Sequence, residues 1–326
     1  MTALLALAAG VSSAVGPPAA VVTPAPNRAP VPVVRAGAVC PEPLQATGAQ
    51  TQVGMAAPGR DGAAGRAGQA DVVGLARTDP LVSLARPAQQ AAASAPVGSP
   101  ALVGEATGDL APGFAAMETT RTPSGDLRGL AGTSCVPAGT DFWFVGSGAE
   151  VGQRGRLYLT NPESAPAQVD VTLYGPAGEI DAPSGRGVSV AARGQEVLLL
   201  DALAPSIPRF GVHVEVRQGR IAAALRDQQI RGLDPLGVDW VPAAAPPARR
   251  VVIAGLPAGS GERRLRVLAP GSADAVVRVR LLGADGSFVP AGLDVVEVAA
   301  GTVSDIDLAP YTRGEAVAVE LTADAP

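Results

Sequence analysis

The chain has no lysine, a single histidine, two cysteines and only ten aromatic side chains (two Trp, three Tyr and five Phe) among 326 residues. Each scarcity excludes something. A phosphate-cradling loop of the G-x-x-x-x-G-K-[ST] kind requires the missing lysine, and no H-E-x-x-H zinc motif can be written with one histidine. Two cysteines and His213 are too few ligands for a structural zinc site, so neither metal nor cofactor is expected. With one histidine, a Ser-His-Asp or Cys-His arrangement would have to use His213, which stands between two valines in a strand-like run. All 25 basic residues are arginine, which together with abundant Ala, Gly and Pro reflects genome base composition more than chemistry. The net charge is −5, and the densest basic stretch is Arg263, Arg264 and Arg266. Phosphate-backbone binding needs several clustered cations, so no nucleic-acid partner is expected.

What is present is small and aliphatic. Hydrophobic residues make up 47% of the chain, mostly Ala, Val and Leu, while 40 Gly and 31 Pro punctuate it. Residues 1–15, MTALLALAAGVSSAV, form an apolar stretch with small residues at its end, like a signal peptide, although no basic residue precedes Arg28. It is too short for an ordinary membrane-spanning helix, so no transmembrane span is expected after signal removal. Residues 16–38 carry six prolines (Pro17, Pro18, Pro24, Pro26, Pro30 and Pro32) and suit a polyproline-like linker reaching roughly 60 Å. The expected location is secreted or cell-envelope associated. In that setting Cys40 and Cys135 read as a disulfide joining the N-terminal region to the domain that follows.

An internal repeat organises the second half. Leu157–Gly178, LYLTNPESAPAQVDVTLYGPAG, aligns without a gap on Leu265–Gly286, LRVLAPGSADAVVRVRLLGADG, at an offset of 108 residues. FWFVG, ending at Gly146, matches VVIAG, ending at Gly255; downstream, LAP and VHVEV match LAP and VAVEL at an offset of 105. Within each copy apolar residues alternate with polar ones. Val169, Val171 and Leu173 point one way, and Gln168, Asp170, Thr172 and Tyr174 the other, as in a half-buried strand. Pro176–Gly178 and Ala284–Gly286 supply turns. Seven short strands are expected in the first copy, the last over Arg220–Arg226.

The expectation is therefore an all-β chain of tandem immunoglobulin-like β-sandwich domains behind a small irregular β region. Its divisions are 39–135 (β-rich N-terminal region), 136–232 (first repeat), 233–248 (linker) and 249–326 (second repeat, lacking its last strand). The missing strand implies a truncated form of a longer chain, or another chain or the N-terminal region filling the gap. In the N-terminal region TQVGMA, ADVVGL, PALVGEAT and GFAAMETTRT read as short strands.

The motifs D-F-W-F-V-G, R-L-Y-L-T-N-P, A-Q-V-D-V-T-L-Y-G-P-A-G and V-H-V-E-V resemble secreted actinobacterial proteins of a domain-of-unknown-function family with tandem repeats opening on an aromatic F-A-E-G-like strand. The resemblance covers Ser134–Pro326, and 40–132 only loosely. It implies an exported, envelope-associated protein with no catalytic residues to carry over. The second copy departs from it, with Val251–Ile253 in place of the aromatic opening and Ala269 in place of Asn161, so any function of those positions belongs to the first copy.

Six of the ten aromatics fall in that first copy. Trp143, Tyr158 and Tyr174 are the candidate ligand-binding residues, because exposed rings on a sheet stack on sugars or bury area against a protein. The competing expectation is contact within the chain. The function expected is a non-enzymatic structural or binding module, with a cell-wall glycan or an envelope protein as partner, or alternatively the carbohydrate-binding module of an envelope complex. A hydrolase using two of Asp141, Glu150, Asp170, Glu215, Asp227 and Asp239 is the remaining enzymatic reading.

Overall fold

The computed structural model describes residues 31–58 and 68–324. The signal-like stretch and most of the proline-rich segment lie outside the described residues. The protein is mostly β: among the described residues every strand ladder is antiparallel, and the two α-helical pieces, Leu200–Leu203 and Ala309–Thr312, are single turns. No helix among the described residues is long and apolar enough to cross a membrane.

The first eight strands are β1 (Arg35–Cys40), β2 (Gln50–Ala57), β3 (Ala70–Gly74), β4 (Pro80–Leu84), β5 (Gln89–Ala95), β6 (Leu102–Thr107), β7 (Ala115–Thr122) and β8 (Gly129–Ser134). They form two four-stranded sheets, ordered β1-β6-β3-β4 and β5-β2-β7-β8, whose side chains meet around Val53, Met55, Val72 and Leu102. All four expected strands are found. β1, β4, β5 and β8 were not expected, because Gly- and Ala-rich strands such as QQAAASA carry little intrinsic preference and are held by their partners. β1 begins inside the segment read as linker. The Cys40–Cys135 disulfide packs in this same core, tying β1 of one sheet to the residue that follows β8 of the other. It therefore closes the N-terminal pair of sheets on itself and does not staple that region to the next domain.

Nine strands follow: β9 (Asp141–Val145), β10 (Gln153–Thr160), β11 (Ala167–Gly175), β12 (Gly178–Ile180), β13 (Val188–Val190), β14 (Gln195–Leu199), β15 (Gly211–Gln218), β16 (Ala222–Arg231) and β17 (Asp234–Val241). One sheet runs β12-β11-β15-β9, with β13 also on β11, and the other β14-β10-β16-β17. The inward positions read from the alternation, Phe142, Phe144, Val169, Val171 and Leu173, are buried in one core with Leu157, Leu159, Ile221 and Leu225 of the facing sheet. β17 lies in what was read as linker, and pairs along β16.

The last seven strands are β18 (Arg250–Leu256), β19 (Arg264–Ala269), β20 (Ala275–Gly283), β21 (Gly286–Phe288), β22 (Val296–Val298), β23 (Thr302–Asp307) and β24 (Val317–Ala323). The order β12-β11-β15-β9 recurs here as β21-β20-β24-β18, and β10–β14 pairing recurs as β19–β23. Gly178 and Gly286 take φ of +126° and +132° at matching turns, a backbone region where a Cβ is strained.

The ladders correct the downstream half of the repeat match. Val171 faces Val214 and Val279 faces Leu321, so with Val171 and Val279 equivalent, Val214 corresponds to Leu321 and not to Val319. Likewise the buried Leu200 corresponds to Leu308, since Leu198 pairs with Leu157 as Ile306 pairs with Leu265. The sequence matches had slid by two and three residues. A two-residue slide leaves every side chain on its own face, so alternation cannot detect it; hydrogen-bond register can. His213 consequently matches Glu320, not Ala318.

One of the recurring elements explains a difference between the copies. Asn161 is fully buried after β10; its amide donates to the carbonyls of Ala165 and Val190, and its Oδ1 accepts from the Glu163 N–H. It pins a loop and does not face a ligand. Asn161→Ala is expected to cost about 2–3 kcal/mol in urea unfolding by leaving those groups unpaired; a change within error would place the loop's stability elsewhere.

Candidate binding face

The outward side of β9, β15 and β11 is built row by row from their ladders. Asp141, Glu215 and Asp170 lie side by side across the three strands; the next row is Trp143, His213 and Thr172, and the next Val145, Gly211 and Tyr174. Each row sits opposite the core because Phe142, Phe144, Val212, Val214, Val171 and Leu173 take the inward positions.

The rings are in contact. Trp143 stacks on His213 with centroids 3.8 Å apart and planes 8° from parallel, and Tyr174 continues the stack 6.3 Å from Trp143 at 23°. His213 Nε2 lies 3.1 Å from Asp141 Oδ1, which fixes the imidazole's orientation. Asp170 accepts from the Gly187 N–H at 2.7 Å and from Arg217 Nε at 2.8 Å, and these hold its carboxyl below the usual carboxylate range. Arg217 also reaches Glu215 at 2.9 Å, so the acidic row is partly neutralised at one end. The Trp143 indole N–H is enclosed and has no acceptor among the described residues.

Tyr158 is not part of this surface. It projects from β10, in the opposite sheet, and is 5% exposed. Its ring meets Trp240 edge-on at 5.4 Å, Arg226 lies 5.2 Å over its face, and Leu44 from the loop after β1 and Ala131 of β8 close the cluster. Burial pushes the phenol up and the Arg226 guanidinium down. Of the three candidate aromatics, the fold brings Trp143 and Tyr174 together and spends Tyr158 on contact within the chain. Trp240, placed in a linker by the sequence reading, belongs to that contact; the alternation of Leu236, Val238 and Trp240 was the signal for it. The Trp143–His213 stack was not legible, because it depends on which strands are neighbours.

The remaining candidate acids lie away from this face. Asp227 faces Asp239 across β16 and β17 beside an open depression of about 440 Å³. Asp227 accepts from Ser147, Gln153 and Gln229, and Asp239 from the backbone N–H groups of Gly132 and Trp240. Glu150 is exposed in the turn before β10.

One acid has no such support. Glu118, on β7, is 1% exposed and neither carboxylate oxygen has a hydrogen-bond partner among the described residues. Burial, reinforced by the charge of Glu42, pushes its pKa up to about 8. Among the described residues no group of three or more His, Cys, Asp or Glu side chains is arranged to hold a metal ion.

Fold and site together define a mostly β protein in which one sheet face carries stacked rings beside a row of carboxylates, its Gly211 end packed against Leu268 and Val303 of the second copy. The chain belongs to the family of unknown function DUF5719, whose profile matches residues 87–326. That span starts well upstream of Ser134 and cuts into the N-terminal sheets, where β5 lies within it and its partner β2 outside. No curated protein and no solved structure matches the chain.

Proposed function

We propose that this is a non-enzymatic, secreted or cell-envelope-associated binding module, built from two tandem immunoglobulin-like sandwich units, that holds a cell-wall glycan on the outward side of β9, β15 and β11. The observation that carries the reading is the stack of Trp143, His213 and Tyr174 next to Asp141 and Glu215. A pyranose presents an apolar C–H face that packs on aromatic rings, and hydroxyl groups at its rim that donate to carboxylates. The second copy supports the assignment by contrast: Val252, Glu320 and Leu282 replace Trp143, His213 and Tyr174, so only one of the two units carries the platform.

Sedimentation of the purified chain with cell-wall glycan tests the reading. Tyr174→Ala is expected to weaken binding at least tenfold with little loss of thermal stability, whereas Tyr158→Ala should lower stability and leave the intrinsic affinity of the folded protein near wild type. Equal glycan binding by wild type and Tyr174→Ala would remove the platform from the function. An envelope protein as ligand is the second reading, distinguished by capture that survives glycan digestion.

A further inference from the structure

The sheet of β14, β10, β16 and β17 turns one side to the core through Leu157, Leu159, Ala223 and Leu225, and its other side carries arginine. Arg156 stands directly opposite Arg226 across the β10–β16 ladder, and Arg154 stands opposite Gln228 one row further on that side. Like charges set directly opposite on neighbouring strands destabilise the pairing. Arg226 is 8% exposed and Gln228 4% exposed, and among the described residues neither side chain makes a hydrogen bond or an ion pair; nor does Arg154 or Arg156. The Arg226 guanidinium lies over the Tyr158 ring, a contact that leaves its N–H donors without an acceptor oxygen. All four side chains line a depression of about 430 Å³, with Glu42 and Asp126 also in its walls. Buried polar groups in folded proteins find partners, and this donor set has none in its own chain among the described residues.

We propose that this depression binds a phosphate group, with the guanidinium groups of Arg156 and Arg226 and the Gln228 amide donating to its oxygens and Arg154 adding its charge at the rim. Charge balance calls for an anion. The three arginines less the two acids leave the lining at +1, in a chain whose net charge is −5. Glu42 attracts Arg226 but accepts its hydrogen bond from Gln195 Nε2 at 3.1 Å, and Arg156 repels the same guanidinium. Geometry favours phosphate over carboxylate. A tetrahedral group turns oxygens towards several separate donors at once, whereas the two coplanar oxygens of a carboxylate are satisfied by one guanidinium fork. The rest of the chain has little to put in its place: residues 1–30 contain no acid, and outside the described residues the only acidic side chain is Asp61. The site is on a different sheet from the stack of Trp143, His213 and Tyr174, so it does not rest on the glycan reading. Free phosphate and the phosphodiester of a larger molecule share this chemistry.

Phosphorus NMR titration of the full chain with inorganic phosphate, and separately with dimethyl phosphate, tests the proposal, with acetate as competitor. The expected result is saturable binding, weakened at least tenfold by Arg156→Gln and by Arg226→Gln and unchanged by Tyr174→Ala. Saturating phosphate should raise the melting temperature of the wild type and leave that of Arg156→Gln where it was. Arg156 is only half-buried, so its variant keeps the test valid should Arg226→Gln fail to fold. Tighter binding of dimethyl phosphate supports a diester as the source, and tighter binding of inorganic phosphate supports the free ion. No binding at millimolar phosphate, or equal binding by the wild type and both arginine variants, overturns the proposal. So does displacement of phosphate by an equal concentration of acetate, which would make the ligand a carboxylate, or tighter phosphate binding by Asp61→Asn, which would make the chain's own acid the occupant.

Discussion

Replacing Cys40 and Cys135 together by alanine is expected to lower the unfolding free energy by about 4–5 kcal/mol, the chain-entropy value for a loop of this length. The two cysteines are 95 residues apart in sequence, and the bond joins the two sheets of the N-terminal group directly. The core it crosses is poor. Several of its inward positions are alanines (Ala38, Ala57, Ala70, Ala95, Ala106 and Ala116), each removing less surface from water than a valine or leucine would. A group of this kind depends more on the cross-link than one with a larger apolar core. Urea unfolding should show an earlier first transition and a steeper dependence on denaturant, because the uncrosslinked chain exposes more surface when unfolded. Cys40 is fully buried, so reductant alone should act slowly on the native protein and quickly in moderate denaturant. A loss below about 1 kcal/mol would mean that the bond adds little to a core already sufficient.

Glu118 should make the same region sensitive to pH. Its carboxyl titrates near 8 in the folded protein against 4.5 when unperturbed. The folded state therefore binds the proton more tightly than the unfolded state. The stabilisation associated with the neutral acid is fully present below pH 4.5 and is lost as pH rises towards and through 8. The slope in that window is about 1.4 kcal/mol per pH unit for one such group, so between pH 5 and pH 8 a few kcal/mol are at stake. Glu118→Gln keeps the shape and removes the titration. Wild-type and variant melting temperatures should be close at pH 5 and diverge by several degrees at pH 8, with the variant higher. Parallel curves across that range would show that the carboxyl finds solvent or a partner in solution.

Both effects come from residues whose sequence context reveals half of the story. Two cysteines in an exported-looking chain point to a bond, but place Cys135 equally well with either neighbouring domain. Its backbone pairing, with the Cys135 N–H donating to Ala116, assigns it to the N-terminal sheets. Glu118 lies in GFAAMETTRT, recognised as a strand, and its alternation with Ala116, Thr120 and Thr122 puts it on one face. Which face is inward cannot be told from a run whose inward side is so polar. The same limit applies to Tyr158 and Tyr174. Both lie opposite the aliphatic core of their unit, yet Tyr158 is sealed against Leu44, Ala131 and Trp240 while Tyr174 is half-buried on the outer face.

The sequence by itself determined the β class, the turn at each repeated glycine and the faces of the alternating strands β9, β11, β15 and β20. These are local properties: a period of two and a glycine at positive φ follow from the backbone wherever the strand is placed. Only the tertiary structure decided how β15 and β24 correspond between the copies, the stacking of Trp143 on His213, and the enclosure of Tyr158 and Glu118. Each depends on which strand lies next to which, and sheet pairing joins residues tens of positions apart, where alternation specifies a face but never a neighbour.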